Sequence, residues 1–447
     1  MLFCFSGRSR PGVIRIGGLR WSLQEFLTGW LITGRIGSGK TSSGLMHLLV
    51  QVFRVIPKWG GLMIDDKGHA WELFRDTAKA HGREVDVIVL RASESEFEVV
   101  PFNLVGDRNL PWETYGRIAV ETAIAQGQRG DQSFFRIQAE THIARALEAL
   151  HVLQRPVTLE GTYHILLERG AREEAIAQLR ALNTEASQRL LRHFEDQFLN
   201  QPPEQLGGVI GTLQNVLTPY ITPTIARTFC ARSELQMDAI DQGKILCLAI
   251  PQKYAKERRY VMTFMKQLFY YHVLQRYDLP SKARAACNTV ILWADEAQHF
   301  VTATEDGLSD YNAIDRIREA NATVVFATQS IMSFEPPLHK EKAQVLKLNV
   351  CNRMVFQAAS EEDAKDAAES LGKRKKLRVT TSTGRGGTQS SSVEEDVYRV
   401  EPYQFRRLRR FQVYLIHVNK SFRKRKLPPL TANGEVASWY RWWRFWE

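Results

Sequence analysis

A short stretch near the start of the chain could bind phosphate. In "GRIGSGKTSSG" (34–44), Gly34, Gly39, Lys40 and Thr41 fit G-x-x-x-x-G-K-[ST]. Glycines allow backbone N–H groups to converge on an anion, and a helix opening there favours negative charge. Lys40 is expected at the β- and γ-phosphates of a nucleoside triphosphate, and the Thr41 hydroxyl on Mg²⁺. Gly37, Ser38 and Ser42 complete the expected ATP-binding set.

Such a loop needs a carboxylate for the metal and a group for the attacking water. "VILWADE" (290–296) supplies both: an apolar run, then Asp295 and Glu296. At the C-terminal end of a buried strand, where ligands of open parallel sheets collect, Asp295 would hold Mg²⁺ and Glu296 would orient water. "VVFATQS" sets Gln329 at the end of the next strand, where it can sense the γ-phosphate. Between them, Arg316 and Arg318 are candidates for an arginine donated to a neighbour's γ-phosphate.

These residues need rigid elements to position them. The apolar runs at 30–34, 60–68 (ending in charge) and 84–90 read as strands, with helical spacing after the loop (Leu45, Leu48, Leu49, Phe53). Strand alternating with helix predicts a parallel sheet covered on both faces. From 108 to 205 the texture turns to Ala, Leu, Glu, Gln and Arg with helical period. In 134–153, Ile137, Ile143, Leu147 and Leu150 form one stripe. Strands return at 243–251, 288–298, 321–330 and 351–358, and the Gly/Ser/Thr stretch 380–392 reads as a mobile loop. The expected divisions are a first ATPase part (1–107), an all-helical insertion (108–205), a second ATPase part (206–430) and an aromatic, basic tail (431–447).

With 447 residues, 44% hydrophobic and 24% charged, the chain has room for one large or two moderate domains, and a disordered or fibrous protein is excluded. The net charge of +11 is uneven. Residues 373–447 hold 18 Lys/Arg against 6 Asp/Glu, and the remainder is nearly neutral, so a polyanion is the expected partner of that end. The five cysteines are scattered without zinc-like spacing, which predicts free thiols. No apolar run reaches the roughly 20 residues of a membrane helix, so a cytoplasmic chain is expected, with any inner-membrane attachment peripheral.

The loop, "MIDDKG" (63–68), "PFNLVG" (101–106), the helical insertion, "GKILCLAIP", "LWADEAQ", "ATQS" and "CNRMVFQAASEEDAKDAAESLG" follow one order. In that order the chain resembles the conjugative coupling proteins of type IV secretion, the TraD/TraG class, and more distantly the HerA/FtsK DNA pumps. The similarity runs from about residue 18 to 429. It implies a RecA-like P-loop NTPase with a mostly parallel central sheet and an all-helical insertion, assembled as a homo-hexamer that hydrolyses ATP as DNA passes through. It also implies relaxase and secretion-channel partners, met by the insertion. Arg318 falls where the class has its trans-acting arginine. Asp65 matches the acid of D-x-K-G, with Asp66 where proline is usual. The class typically begins with two transmembrane helices, and none is expected in this sequence. That leaves two further readings: a soluble HerA/FtsK-type translocase, or a nucleotide-switched docking platform for protein cargo. The tail "SWYRWWRFWE" (438–447) has three readings: docking on its own body, a peripheral membrane interface, or stacking on bases.

Overall fold

The computed structural model describes residues 13–95, 98–127, 133–304, 307–384 and 387–443; side chains are described for all of these but 380–391 and 441–443. The opening residues 1–12, with Cys4, and the last four residues of the tail lie outside that set. The chain divides into two compact units. One comprises Met1–Pro57, Val325–Pro336 and Lys347–Glu447; the other comprises Lys58–Val324 and Pro337–Leu346.

In the first unit, Trp30–Thr33 pairs in parallel with the end of Ala322–Thr328 on one side and with Asn352–Val355 on the other. Gln412–Ile416 then adds antiparallel to Asn352–Val355, and Phe422–Lys426 adds antiparallel outside it. That last strand, "FRKRK", is an edge with four of its five residues exposed. Charge on an exposed edge discourages pairing with another chain, which gives this basic run a structural use. After the loop comes Met46–Val55, where Leu48, Leu49 and Phe53 are buried as expected, with Leu45 just before it.

In the second unit, Val290–Asp295, Gly60–Asp65, Ile245–Ala249 and Val87–Arg91 lie side by side in that order, all parallel. The first three are buried at every position. Strands covered on both faces read as unbroken apolar runs, which is why they are visible in sequence. The run at 84–90 begins one turn later than expected. Asp86 is held by Arg83 (2.9 Å) and Lys244 (3.1 Å), so Glu84–Asp86 forms a tight turn and the strand starts at Val87. Between Arg91 and Ile245 no strand occurs among the described residues. The chain there runs through helices, chiefly Trp112–Ala125, Ser133–Val152, Leu159–Leu167, Arg169–Leu182, Glu185–Arg192 and Pro203–Leu217.

Two details differ from expectation. Ile143, Leu147 and Leu150 are buried, but Ile137 is 61% exposed, so the apolar stripe of Ser133–Val152 starts only after its first turns. The stretch 380–392, read as a mobile loop, is strand at 380–384 and 387–392, and residues 385–386 lie outside the described residues. It belongs to a long antiparallel hairpin, Lys373–Gly384 with Gly387–Tyr398, in which Thr380 faces Ser391 and Thr381 faces Ser390. Its β-branched threonines suit paired strands, a preference masked by the surrounding Gly and Ser. The described cysteines are free, with Cys230 and Cys247 buried.

Candidate functional site

The candidate residues fall in both units. Gly34, Gly37, Ser38, Gly39, Lys40, Thr41, Ser42 and Gln329 lie in the first; Asp295, Glu296, Arg316 and Arg318 lie in the second.

In the first unit the loop leaves Trp30–Thr33 and opens a wide first turn, in which the N–H of Ser43 (2.9 Å) and of Gly44 (3.2 Å) both reach the Gly39 carbonyl. The Lys40 ammonium is buried and donates to the Gly34 carbonyl at 2.5 Å, folded across the loop it would serve. Ser38 Oγ is buried and has no hydrogen-bond partner among the described residues. A buried hydroxyl left unsatisfied is costly, and an anion in the loop would satisfy it.

The loop is backed by residues that no motif announces. The Phe411 N–H donates to the Ser38 carbonyl (2.9 Å), the Leu430 N–H donates to the Ser42 carbonyl (3.1 Å), and Ser43 Oγ donates to the Leu427 carbonyl (2.7 Å). Gly39 has φ +106°, and a Cβ there would meet the Phe411 ring at 2.6 Å. Gly39→Ala is therefore expected to lower the stability of this unit by about 1–3 kcal/mol and to weaken nucleotide binding, measurable as an earlier midpoint in a urea melt. Tyr440 of the tail stacks edge-on against Phe411 at 5.4 Å between ring centroids and is buried, while Trp439 remains 46% exposed. This part of the tail docks on its own body.

Gln329 is half-buried and follows Ala322–Thr328. Asp363 pins the turn after it, accepting from Ser330 Oγ (2.8 Å) and the Ile331 N–H (2.8 Å).

In the second unit, Asp65 and Asp295 end adjacent parallel strands in register. Asp65 is spent on local geometry: its carboxylate accepts the N–H groups of Lys67 (3.0 Å), His69 (3.1 Å) and Ala70 (3.1 Å) and so caps the helix Ala70–Ala80. Asp66, in the place of the usual proline, pairs with Arg259 (3.0 Å) and Arg258 (3.3 Å). Burial first, and then the neighbouring Asp65 charge, push the Asp295 carboxyl up to about 6. Glu296 sits in the left-handed region (φ +54°), which costs a non-glycine residue about 1–3 kcal/mol. Its carboxylate is held on both oxygens, by the Lys67 ammonium (Oε1, 3.3 Å) and the Gln298 amide (Oε2, 3.0 Å). Burial works against the Lys67 charge, but Asp295, Glu296 and Asp65 outweigh it and hold the ammonium above its ordinary value. Sequence reasoning missed Lys67 and Gln298 as partners of Glu296. The lysine of "DDKG" was in view, but only the fold brings it to the strand end.

Among the described residues no group of three or more His, Cys, Asp or Glu could hold a metal by itself. A Mg²⁺ here would need ligands from a nucleotide's phosphates, which is how this hard, strongly hydrated cation is commonly held.

Arg316 and Arg318 are both exposed. Arg316 belongs to the helix Asp310–Ile317, and Arg318 follows directly. Arg318 has no carboxylate partner among the described residues. Asp310 anchors the helix from inside, accepting from Tyr270 Oη (2.6 Å) and the Thr302 N–H (2.7 Å) and pairing with the fully buried Lys266. Beside this network, Glu121 is buried, and burial chiefly, then Glu140, pushes its carboxyl up to about 8. An unfolded chain loses this proton near 4.5, well before the folded chain does. Stability therefore falls as pH rises from about 4.5 to 8, and the penalty is complete above that range. Glu121→Gln is expected to flatten this part of the decline. In thermal melts from pH 5 to 8.5, the variant should lose less than the wild type.

No helix among the described residues is long and apolar enough to cross a membrane. No curated protein matches the chain. Several solved structures do. One is the bacterial conjugative coupling protein TrwBdeltaN70 in its unbound form, with TM-score 0.69 and 16% identity, covering 96% of this chain and 91% of that one. Another is the plasmid coupling protein TrwB in complex with ADP and Mg²⁺, with TM-score 0.68 and 15% identity, covering 96% and 92%. A third is TrwB with a non-hydrolysable ATP analogue, with TM-score 0.66 and 14% identity, covering 95% and 91%. At such identities the likeness establishes the fold, a mostly parallel sheet with a helical insertion. The sequence profile for type IV secretory system conjugative DNA transfer matches residues 8–426. Matched over nearly its whole length, the chain belongs to the type IV secretory system conjugative DNA transfer family.

Proposed function

We propose that this chain is a Mg²⁺-dependent ATPase, stimulated by DNA, that couples hydrolysis to DNA movement in conjugative transfer. The observation that carries hydrolysis beyond mere binding is Glu296: a strained, two-point-held carboxylate beside a buried aspartate at a strand end. The TrwB complexes with ADP–Mg²⁺ and with an ATP analogue support ATP and Mg²⁺ as the ligands.

In this reading the N–H groups of 34–42 and the Ser38 hydroxyl bind phosphate, and Lys40 leaves the Gly34 carbonyl to neutralise the β- and γ-oxygens. Thr41 and Asp295 would hold Mg²⁺, which when bound polarises the phosphate and offsets its charge. Glu296, released from Lys67, orients the attacking water, and Gln329 senses the γ-phosphate. Arg318, exposed and without a carboxylate partner among the described residues, serves a neighbour's site, so the working form is a ring, a homo-hexamer in this class. Residues 108–205 act as the cargo-facing insertion between the two ATPase parts (1–107 and 206–430) and meet the relaxase–DNA substrate and channel proteins. The exposed Trp439 leaves the tail (431–447) a peripheral membrane contact.

The test is ATP turnover with and without DNA. Wild type should be stimulated and Lys40→Ala should lose both rates. Hydrolysis indifferent to DNA would point instead to a nucleotide-switched docking platform.

A further inference from the structure

The motif "PFNLVG" (101–106) has no part in the site described above. It floors a cleft of about 1030 Å³ within the second unit, at the start of the helical region. The polar groups of that floor are spent on one another. Asn103 Nδ2 donates to the Val157 carbonyl (2.8 Å) and Asn103 Oδ1 accepts the Val105 N–H (3.1 Å). Gln236 Nε2 donates to the Gly106 carbonyl (3.0 Å), and Ser233 Oγ donates to the Pro101 carbonyl (2.7 Å). The floor is thus rigid and has little left to offer a ligand.

The rim is different. It carries Arg108, Arg155, Arg232 and His151 against one acid, Glu234. Arg155 pairs with Glu174 at 2.5 Å. Arg108 and Arg232 are exposed and have no partner among the described residues. The same cleft is lined by an aromatic pair, Trp112 and His151, with ring centroids 5.7 Å apart; the indole is partly exposed and the imidazole exposed. Unspent guanidinium groups suit phosphates, and an accessible indole beside them suits an unstacked base. A duplex keeps its bases stacked and offers none to the ring. An acidic peptide would use the arginines and leave the aromatic pair idle.

We propose that this cleft binds a single-stranded nucleic acid, with Arg108 and Arg232 on backbone phosphates and Trp112 stacking on a base. The proposal rests on the reading of the chain as a DNA motor and adds a strand-binding subsite to it.

The experiment is fluorescence anisotropy of the full chain with a labelled oligothymidylate of about 20 nucleotides, longer than one typical single-strand site. Each protein is titrated at several salt concentrations, with labelled polyglutamate in parallel and nucleotide binding as the check on folding. The double variant Arg108→Ala/Arg232→Ala is expected to bind about tenfold more weakly or worse, with a salt slope shallower by about 1.4, two phosphate contacts on a single strand. Trp112→Ala should lose about tenfold at an unchanged salt slope, and Trp112→Phe should recover most of it. Wild type binding that neither variant alters would overturn the cleft and leave the motor intact. Loss of polyglutamate binding with thymidylate unaffected would overturn it in favour of an acidic protein segment. A wild type that binds no DNA would end both readings. Should Trp112→Ala fail to fold, the arginine variant decides, since both side chains are exposed and have no partner among the described residues.

Discussion

Glu296→Gln is expected to cut ATP turnover by a hundredfold or more while leaving nucleotide affinity within a few-fold. The substitution keeps the shape of the side chain and the contact with Gln298, and removes only the charge and the basic oxygen. A residue that binds nucleotide would show its loss in affinity; one that orients and polarises water shows it in turnover alone. The ion pair with Lys67 adds a second readout. At 3.3 Å, with Lys67 half-exposed, that pair is a modest restraint that a nucleotide could outbid. Neutralising Glu296 would free Lys67 and leave its charge to Asp65 and Asp295 alone. Turnover measured in parallel with fluorescent-nucleotide titration checks the claim, and equal losses in both would assign Glu296 to binding instead.

The second large effect is expected for Arg318→Ala, a fall in turnover of about a thousandfold, the usual scale for an arginine that neutralises the transferring phosphate. Its exposure and the lack of a carboxylate partner among the described residues mean that little stability should be lost with it. The decisive measurement is a mixture. Lys40→Ala lacks a working loop but keeps Arg318; Arg318→Ala keeps the loop. If each arginine serves its neighbour, equal amounts of the two inactive proteins co-assemble so that about a quarter of interfaces join a sound loop to a sound arginine, as head-to-tail contacts allow. Turnover should return to about that fraction. If the arginine acts within its own subunit, the mixture stays dead. The same experiment with Arg316→Ala separates the two arginines.

What could be read from the sequence was local. The phosphate loop is legible because its glycines and lysine must be contiguous, and the buried strands because apolar runs survive without their surroundings. The Asp295–Glu296 pair stood out for the same reason. What stayed hidden depends on residues far apart. Lys67 reaches Glu296 only because Gly60–Asp65 and Val290–Asp295 are neighbours in the sheet. Phe411, Leu427 and Leu430 back the loop through backbone groups, and a backbone hydrogen bond leaves no trace in side-chain identity. The hairpin of 373–398 was obscured by the opposite problem. Its glycines and serines carry a loop-like composition, while what makes strands of them is the register with the facing arm of the hairpin, as in Thr380 with Ser391 and Ser382 with Gln389. Asp65 shows a third case: the residue type was visible, but its carboxylate turned out to serve a helix cap.

The backing of the phosphate loop also bears on the order in which the chain is made. The loop strand Trp30–Thr33 finds both of its partners roughly 300 or more residues later, and Ser43 closes its hydrogen bond with Leu427, 384 residues downstream. At ribosomal speeds of about 5–20 residues per second, that separation is tens of seconds of synthesis. Through that interval the nascent chain carries a complete glycine motif with neither sheet neighbours nor backing. The loop is therefore competent only long after it has been translated, and a chain cut short before residue 411 would carry the motif without the residues that support it.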